Sequence, residues 1–221
     1  MTRMTSARLA GSLFLLYIAA GITGMVLFSR ASGGEGTAAR LASIAQNVTM
    51  VRGTVVLTLV EFLCAIGLGV TLYALTRDQD RELALIALCC RAAEGIIGAA
   101  AAVRTLGLVS VAAVSTSASG ADAASAIAMG SLLLQQGGGS ATISATCFAV
   151  GSMLFSWLFL RARSIPVWLA GLGVLASLLL VVVLPLELAG LVDGGFLVWM
   201  PMLVFEVTLA FWLIVRGVAP H

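Results

Sequence analysis

Six long apolar stretches dominate the pattern along the chain, with connections of different lengths between them. A membrane-spanning helix needs about 20 apolar residues, and each stretch reaches that length. Inside the stretches the apolar positions are nearly continuous, with neither the alternation of a strand nor the polar face of a soluble helix. The pattern therefore predicts an all-α integral membrane protein, a six-helix bundle in a single domain over 1–221, with spans at about 9–28, 53–76, 83–112, 141–160, 165–187 and 195–215.

Two connections are long enough to contain structure of their own. In 29–47, the segment TAARLASIAQN has a helical pattern and is predicted to form a short interfacial helix. In 113–140, the ends STSASGA and QQGGGS are flexible by composition, while AASAIAMGSLLL between them is apolar. The second connection is expected to be either a passive surface helix or a lid over a cavity.

Composition agrees with a membrane protein and narrows its chemistry. The chain is 61% hydrophobic and 10% charged, whereas soluble domains are about 25% charged. All 12 basic residues are arginine, so a Schiff base of retinal or pyridoxal is excluded. The single histidine is His221, and no His or Cys pair has the spacing of a zinc or haem site. No metal, cofactor or nucleic-acid partner is expected.

The arginines outside the spans predict the orientation of the chain. With the amino terminus inside, seven lie on the cytoplasmic side and two on the outer side. Both termini are therefore expected to be cytoplasmic. The cytoplasmic set is Arg3, Arg8, Arg77, Arg81, Arg161, Arg163 and Arg216, and the outer set is Arg30 and Arg40.

Four ionisable residues fall near the middle of the predicted spans. At 1.5 Å per residue, Arg91 and Glu94 lie about 12 and 16 Å from the inner face. By the same count Glu61 lies about 21 Å in and Glu206 about 15 Å. Ionisable residues at such depth are costly and are often functional. Three carboxyls would share one guanidinium there, so at least one carboxyl is expected to be neutral at pH 7.

These residues are predicted to form one polar site between the second, third and sixth spans. Glu61, Glu94 and Glu206 are the candidate catalytic acids and bases, and Arg91 is a candidate binding residue. Three aromatic residues, Tyr17, Trp157 and Trp199, are candidates for contact with a ligand. Arg52 points away from Glu61 on the same helix and is expected either to reach the interface or to line the mouth of a cavity.

Several stretches resemble a known protein family. They are RLAGSLFLLYIAAGITG, NVTMVRG, CCRAAEG, GSMLFSWLFLRARSIPVWLAGLG and FEVTLAFWLIVRG. In this order they resemble an uncharacterised family of six-span bacterial membrane proteins, catalogued as a domain of unknown function. The resemblance implies a six-helix domain in the bacterial cytoplasmic membrane and brings no activity. Its pattern emphasises Arg8, Arg52, Arg91, Glu94, Pro166 and Glu206.

Three functions fit these features. The first is acid–base chemistry, of the isomerisation or cyclisation type, on a lipophilic small molecule within the bilayer. The second is proton-coupled transport or binding of a small molecule, although no internal repeat is visible. The third is a non-catalytic membrane scaffold or partner whose polar cluster fixes helix pairing. Membrane lipid is the expected surrounding in each case, and the oligomeric state is left open.

Overall fold

The fold is all-helical, as the hydrophobic pattern predicts. A computed structural model describes residues 2–219, and His221 lies outside them. Within those residues the chain forms seven helices and no strand. They are α1 Arg3–Ala31, α2 Gly36–Gln46, α3 Val48–Thr76, α4 Arg81–Ser117, α5 Ala121–Ala162, α6 Val167–Leu188 and α7 Phe196–Val215.

All the helices except α2 are long and apolar enough to cross a membrane. The six predicted spans are thus confirmed, and the chain is a multi-pass membrane protein. The short α2 confirms the helix predicted within 29–47, and it buries Leu41 and Ile44. Pro166 immediately precedes α6, a position where the fixed backbone angle of proline favours helix initiation.

The prediction of a flexible end at QQGGGS in 113–140 is wrong, whereas the other end, STSASGA, contains the non-helical residues 118–120. Helix α4 continues to Ser117, and α5 begins at Ala121 and runs through QQGGGS without a break. The Arg104 guanidinium provides a physical reason, because its Nη1 donates to the carbonyl of Gln136 at 3.3 Å and to Ser140 Oγ at 2.5 Å. The guanidinium also lies close to Gly137, where a methyl group would be in ordinary van der Waals contact with Nη2 at 3.5 Å.

The chain divides into two compact units. The first contains residues up to Tyr17, Phe62–Ile96 and residues from Thr142 onward. Its core is aliphatic and aromatic, with Phe14, Leu68, Phe159, Leu180 and Leu209 among its buried members. A single domain over 1–221 stays a prediction.

The second unit contains Ile18–Glu61 and Ile97–Ala141. Its smaller core packs α2 against α4 through Leu41, Ile44 and Leu108. The partly buried residues Phe28, Leu133 and Leu134 surround that core.

The orientation of the chain stays a prediction that labelling can test. Gln79 lies in the turn between α3 and α4, and Ser119 lies between α4 and α5. In a background without native cysteines, we expect Gln79→Cys to react with an impermeant maleimide only after the cells are opened. Ser119→Cys should react in intact cells and serves as the control. Labelling of position 79 in intact cells would contradict the predicted orientation.

Candidate functional site

Arg91 is the most deeply buried charged residue of the first unit. Only 1% of its surface is exposed. Glycines on two neighbouring helices lie against this part of α4. A methyl group at Gly69 of α3 would lie 2.8 Å from Leu88 Cδ1 and 3.2 Å from Arg91 Cβ, and one at Gly151 of α5 would lie 3.2 Å from the backbone oxygen of Ala87. These glycines therefore permit close helix packing around a buried guanidinium.

Glu94 of α4 accepts hydrogen bonds from both α1 and α5. Its Oε2 lies 3.0 Å from Arg91 Nη1, one turn earlier on α4. Its Oε1 accepts a 2.5 Å hydrogen bond from the Tyr17 hydroxyl of α1. Its backbone carbonyl accepts a 2.9 Å hydrogen bond from Ser144 Oγ of α5. The expected contact between Arg91 and Glu94 is present, and Tyr17 adds a neutral donor to it.

Aromatic rings lie beside the guanidinium. Arg91 Cζ lies 5.3 Å from the centre of the Tyr17 ring and 5.0 Å from that of Phe148, both at cation–π distance. The predicted ligand contact Trp199 is half-buried and stacks on Phe148, with ring centres 6.2 Å apart. Trp157 is 47% exposed on α5. The aromatic residues near the charge therefore contact the protein's own cation.

Glu206 brings a second carboxyl to this part of the first unit. It lies on α7 and is 5% exposed. It lies within electrostatic range of both Arg91 and Glu94. Within residues 2–219, its Oε1 is buried and has no hydrogen-bond partner.

The cluster of Tyr17, Arg91, Glu94 and Glu206, here called the buried acid–base cluster, has unused hydrogen-bonding capacity. Among the described residues, no hydrogen bond reaches the three guanidinium nitrogens of Arg91 or Glu94 Oε2, although Nη1 and Oε2 are at ion-pair distance. Buried polar atoms are usually satisfied, so several orphaned atoms in one place require an explanation. They could bind a polar group with both donor and acceptor atoms, and two carboxyls could exchange protons with it.

Two of the predicted site residues belong to the second unit. Glu61 ends the α3 part of that unit, and a methyl group at Gly21 would lie 2.6 Å from its carboxylate oxygen. Arg52 lies near the start of α3 and is exposed. A shared role of Glu61 or Arg52 with the buried acid–base cluster stays a prediction.

Two further residues, Ser144 and Phe148, contact the cluster and are not among those predicted from the sequence. They are four residues apart on α5 and therefore share one face of that helix. A serine and a phenylalanine in an apolar span are too common to stand out in a single sequence. Their spacing relative to Gly151 on the same helix is the one weak signal that could have directed attention to that face.

Comparison with known proteins gives a family and no function. No curated protein and no solved structure matches the chain. The family DUF4386, described as a domain of unknown function, matches residues 9–217. This range includes all four residues of the buried acid–base cluster. Because the match covers nearly the whole sequence, the chain belongs to the DUF4386 family of proteins with a domain of unknown function.

Proposed function

We propose that the protein catalyses an acid–base isomerisation of a lipophilic small molecule within its transmembrane region. Glu206 is the proton donor, Glu94 is the proton acceptor, and Arg91 stabilises negative charge on the substrate. The observation that carries this proposal is a group of buried polar atoms that have no hydrogen bond among the described residues: Glu206 Oε1, Glu94 Oε2 and the Arg91 nitrogens, although Oε2 and Nη1 form an ion pair at 3.0 Å. Substrate binding would satisfy groups that are otherwise costly to bury.

The charges support distinct roles for the two carboxyls. Glu94 has a cation at 3.0 Å and a hydroxyl donor at 2.5 Å, and both contacts favour its ionised form. Arg91 is then neutralised by Glu94. A second buried carboxylate at Glu206 would be left uncompensated, which costs several kcal/mol by the usual desolvation penalty. We therefore assign the neutral acid to Glu206.

The proposed reaction is the shift of a double bond next to a carbonyl group. The Glu94 carboxylate removes a proton from a substrate carbon, and the resulting enolate oxygen is held by the Arg91 guanidinium. Glu206 then donates its proton to a different carbon. The substrate keeps its composition, and the proton returns from Glu94 to Glu206 before the next turnover. The total charge of the site is unchanged throughout.

An anionic intermediate fits the surroundings better than a carbocation. The rings of Tyr17 and Phe148 lie within 5.3 Å of the Arg91 guanidinium carbon, so a substrate cation at these rings would be repelled by Arg91. An enolate at the same place would be attracted. This favours isomerisation over cation-driven cyclisation.

A purely structural role is the second candidate, and one observation favours it. Glu94 accepts hydrogen bonds from Tyr17 of α1 and Ser144 of α5, so it ties three helices together without any ligand. Interhelical hydrogen bonds of this kind stabilise membrane proteins by about 1 kcal/mol each. In this case the carboxyl of Glu206 would serve only packing.

The Glu206→Gln variant distinguishes the two candidates, because an amide keeps the shape and cannot donate an acidic proton. Cells would express the wild type or Glu206→Gln at matched levels, and their lipid extracts would be compared by liquid chromatography and mass spectrometry. We expect a pair of species with identical mass and different retention. Cells with the wild type should accumulate the product isomer, and cells with Glu206→Gln should retain the substrate isomer.

Glu82→Gln is the matched control, since Glu82 is exposed in the first turn of α4. It should give the lipid profile of the wild type. Thermal unfolding in detergent shows whether Glu206→Gln is folded. A folded Glu206→Gln variant that yields the wild-type profile, in cells where the wild type changes the profile relative to empty vector, would contradict the catalytic role.

A further inference from the structure

The second unit contains a cavity that the buried acid–base cluster does not use. It has a volume of about 350 Å³, within the range of about 300–1,000 Å³ of small-molecule sites. Helices α1, α2, α4 and α5 each contribute to its wall. Four apolar side chains form one part of the lining, namely Phe28, Leu108, Leu133 and Leu134.

Two arginines, Arg40 and Arg104, supply the charge of this cavity. Nε of Arg40 donates to the carbonyl of Ser32 at 3.3 Å, and Nη1 of Arg104 donates to the carbonyl of Gln136 and to Ser140 Oγ. These neutral acceptors hold both guanidinium groups in place without neutralising them. Within residues 2–219, no carboxylate lies within 4.0 Å of either arginine.

Two positioned guanidinium groups beside an apolar wall have a specific complement. Guanidinium groups bind phosphate oxygens through paired hydrogen bonds, and two of them can share the several oxygens of one phosphate. The apolar side chains beside them would contact hydrocarbon, and the burial of that apolar surface would stabilise the complex. Both features together match an anionic amphiphile.

We propose that this cavity binds a phosphate group, with Arg40 and Arg104 as its cationic ligands and the apolar wall as the contact for an attached acyl chain. The ligand is then a phospholipid with an anionic head group, and free phosphate would satisfy the arginines alone. Every residue of this site belongs to the second unit, so the site is independent of the proposed isomerase chemistry.

Gly138 and Gly139 allow a test that does not remove charge. Gly138 lines the cavity, whereas Gly139 is not among its lining residues. A methyl group at either position would meet no heavy atom of the described part of the chain within 4 Å, apart from its own helix backbone and chain neighbours. Leucine at either position favours the helix by the same amount, about 1 kcal/mol relative to glycine. Gly138→Leu should obstruct the cavity, and Gly139→Leu is its matched control.

The experiment uses the full chain in dodecyl maltoside and measures thermal unfolding by tryptophan fluorescence. Dioctanoyl phosphatidylglycerol is titrated, with dioctanoyl phosphatidylcholine and inorganic phosphate as separate arms. A ligand that binds the folded state raises the unfolding temperature, because it stabilises that state by RT ln(1 + [L]/Kd). We expect phosphatidylglycerol to stabilise the wild type, Gly139→Leu and Arg30→Gln, in which an exposed arginine of the same unit is removed.

With Arg40→Gln or Arg104→Gln, the lipid concentration needed for a given stabilisation should rise about ten-fold, as expected for the loss of one charged hydrogen-bonding partner. Gly138→Leu should abolish it. If inorganic phosphate gives the same shift with the same dependence on both arginines, the phosphate site stands and its ligand is free phosphate. Equal stabilisation by phosphatidylcholine would overturn the preference for an anionic head group, because both lipids carry the phosphodiester. Wild-type responses of Arg104→Gln and Gly138→Leu would overturn the site itself.

Discussion

Arg91→Gln is expected to destabilise the protein by about 3–5 kcal/mol, the usual cost of removing one partner from a buried ion pair. Arg91 is 1% exposed and Glu94 is 4% exposed, so water cannot replace the lost cation without rearrangement of the helices. The Glu94 carboxylate would then keep the hydrogen bond from the Tyr17 hydroxyl and lose its ion pair with Arg91. Glu206 would add a second acidic group within electrostatic range. The measurement is thermal or denaturant unfolding in detergent.

A double variant shows whether the loss comes from the uncompensated charge. Arg91→Gln combined with Glu94→Gln removes both charges, and neutral replacement of a buried pair is often tolerated. We expect the double variant to recover more than half of the stability lost by Arg91→Gln. The control is Arg81→Gln, which removes an exposed arginine at the start of the same helix. Equal losses for Arg81→Gln and Arg91→Gln would show that the buried ion pair is not responsible.

The spans were predictable because the lipid environment imposes a simple rule on the sequence. A helix that crosses the hydrocarbon must satisfy its backbone internally and must present apolar side chains over about 20 residues. Six stretches meet this rule, and six helices of the structure correspond to them. The helix α2 was also predictable, since Leu41 and Ile44 follow helical spacing within a short polar loop.

The continuity of α5 through its glycines was not predictable. The local composition disfavours a helix there, whereas contacts with a distant residue stabilise one. Three consecutive glycines, beginning at Gly137, each cost about 1 kcal/mol in a helix and usually indicate a loop. Arg104 contributes contacts with Gln136 and Ser140 across 32 and 36 residues of sequence. No local window of the sequence contains both sides of that interaction.

The buried acid–base cluster was predictable in part. Charge inside an apolar span is conspicuous, so Arg91, Glu94 and Glu206 could be identified from sequence. Helical periodicity placed Arg91 and Glu94 on one face, and they are in contact. The hydrogen bond from Tyr17 and the contact of Phe148 with the guanidinium depend on which helices are neighbours, and that choice is not encoded in the periodicity of any single span.

Close approach of α1 and α7 supports the second large expected effect. Gly11 of α1 is buried, and a methyl group there would lie 2.5 Å from the backbone oxygen of Ala210 and 2.7 Å from Ile214 Cγ1. A backbone oxygen cannot rotate away as a flexible side chain can, so α1 and α7 would have to separate. We expect Gly11→Ala to destabilise the protein by about 1–3 kcal/mol, the range for overpacked cores.

Gly171→Ala provides the opposite expectation and controls for helix propensity. Position 171 lies inside α6, and a methyl group there would meet no heavy atom of residues 2–219 within 4 Å beyond its own helix backbone and chain neighbours. Alanine favours a helix over glycine by about 0.8–1.0 kcal/mol, so Gly171→Ala should stabilise slightly or have no effect. Unfolding of both variants in the same detergent gives the comparison.

Because Ala210 follows Glu206 by one helical turn, separation at Gly11 should also displace Glu206. A Gly11→Ala variant as stable as Gly171→Ala would show that α1 and α7 are not in close contact at this position.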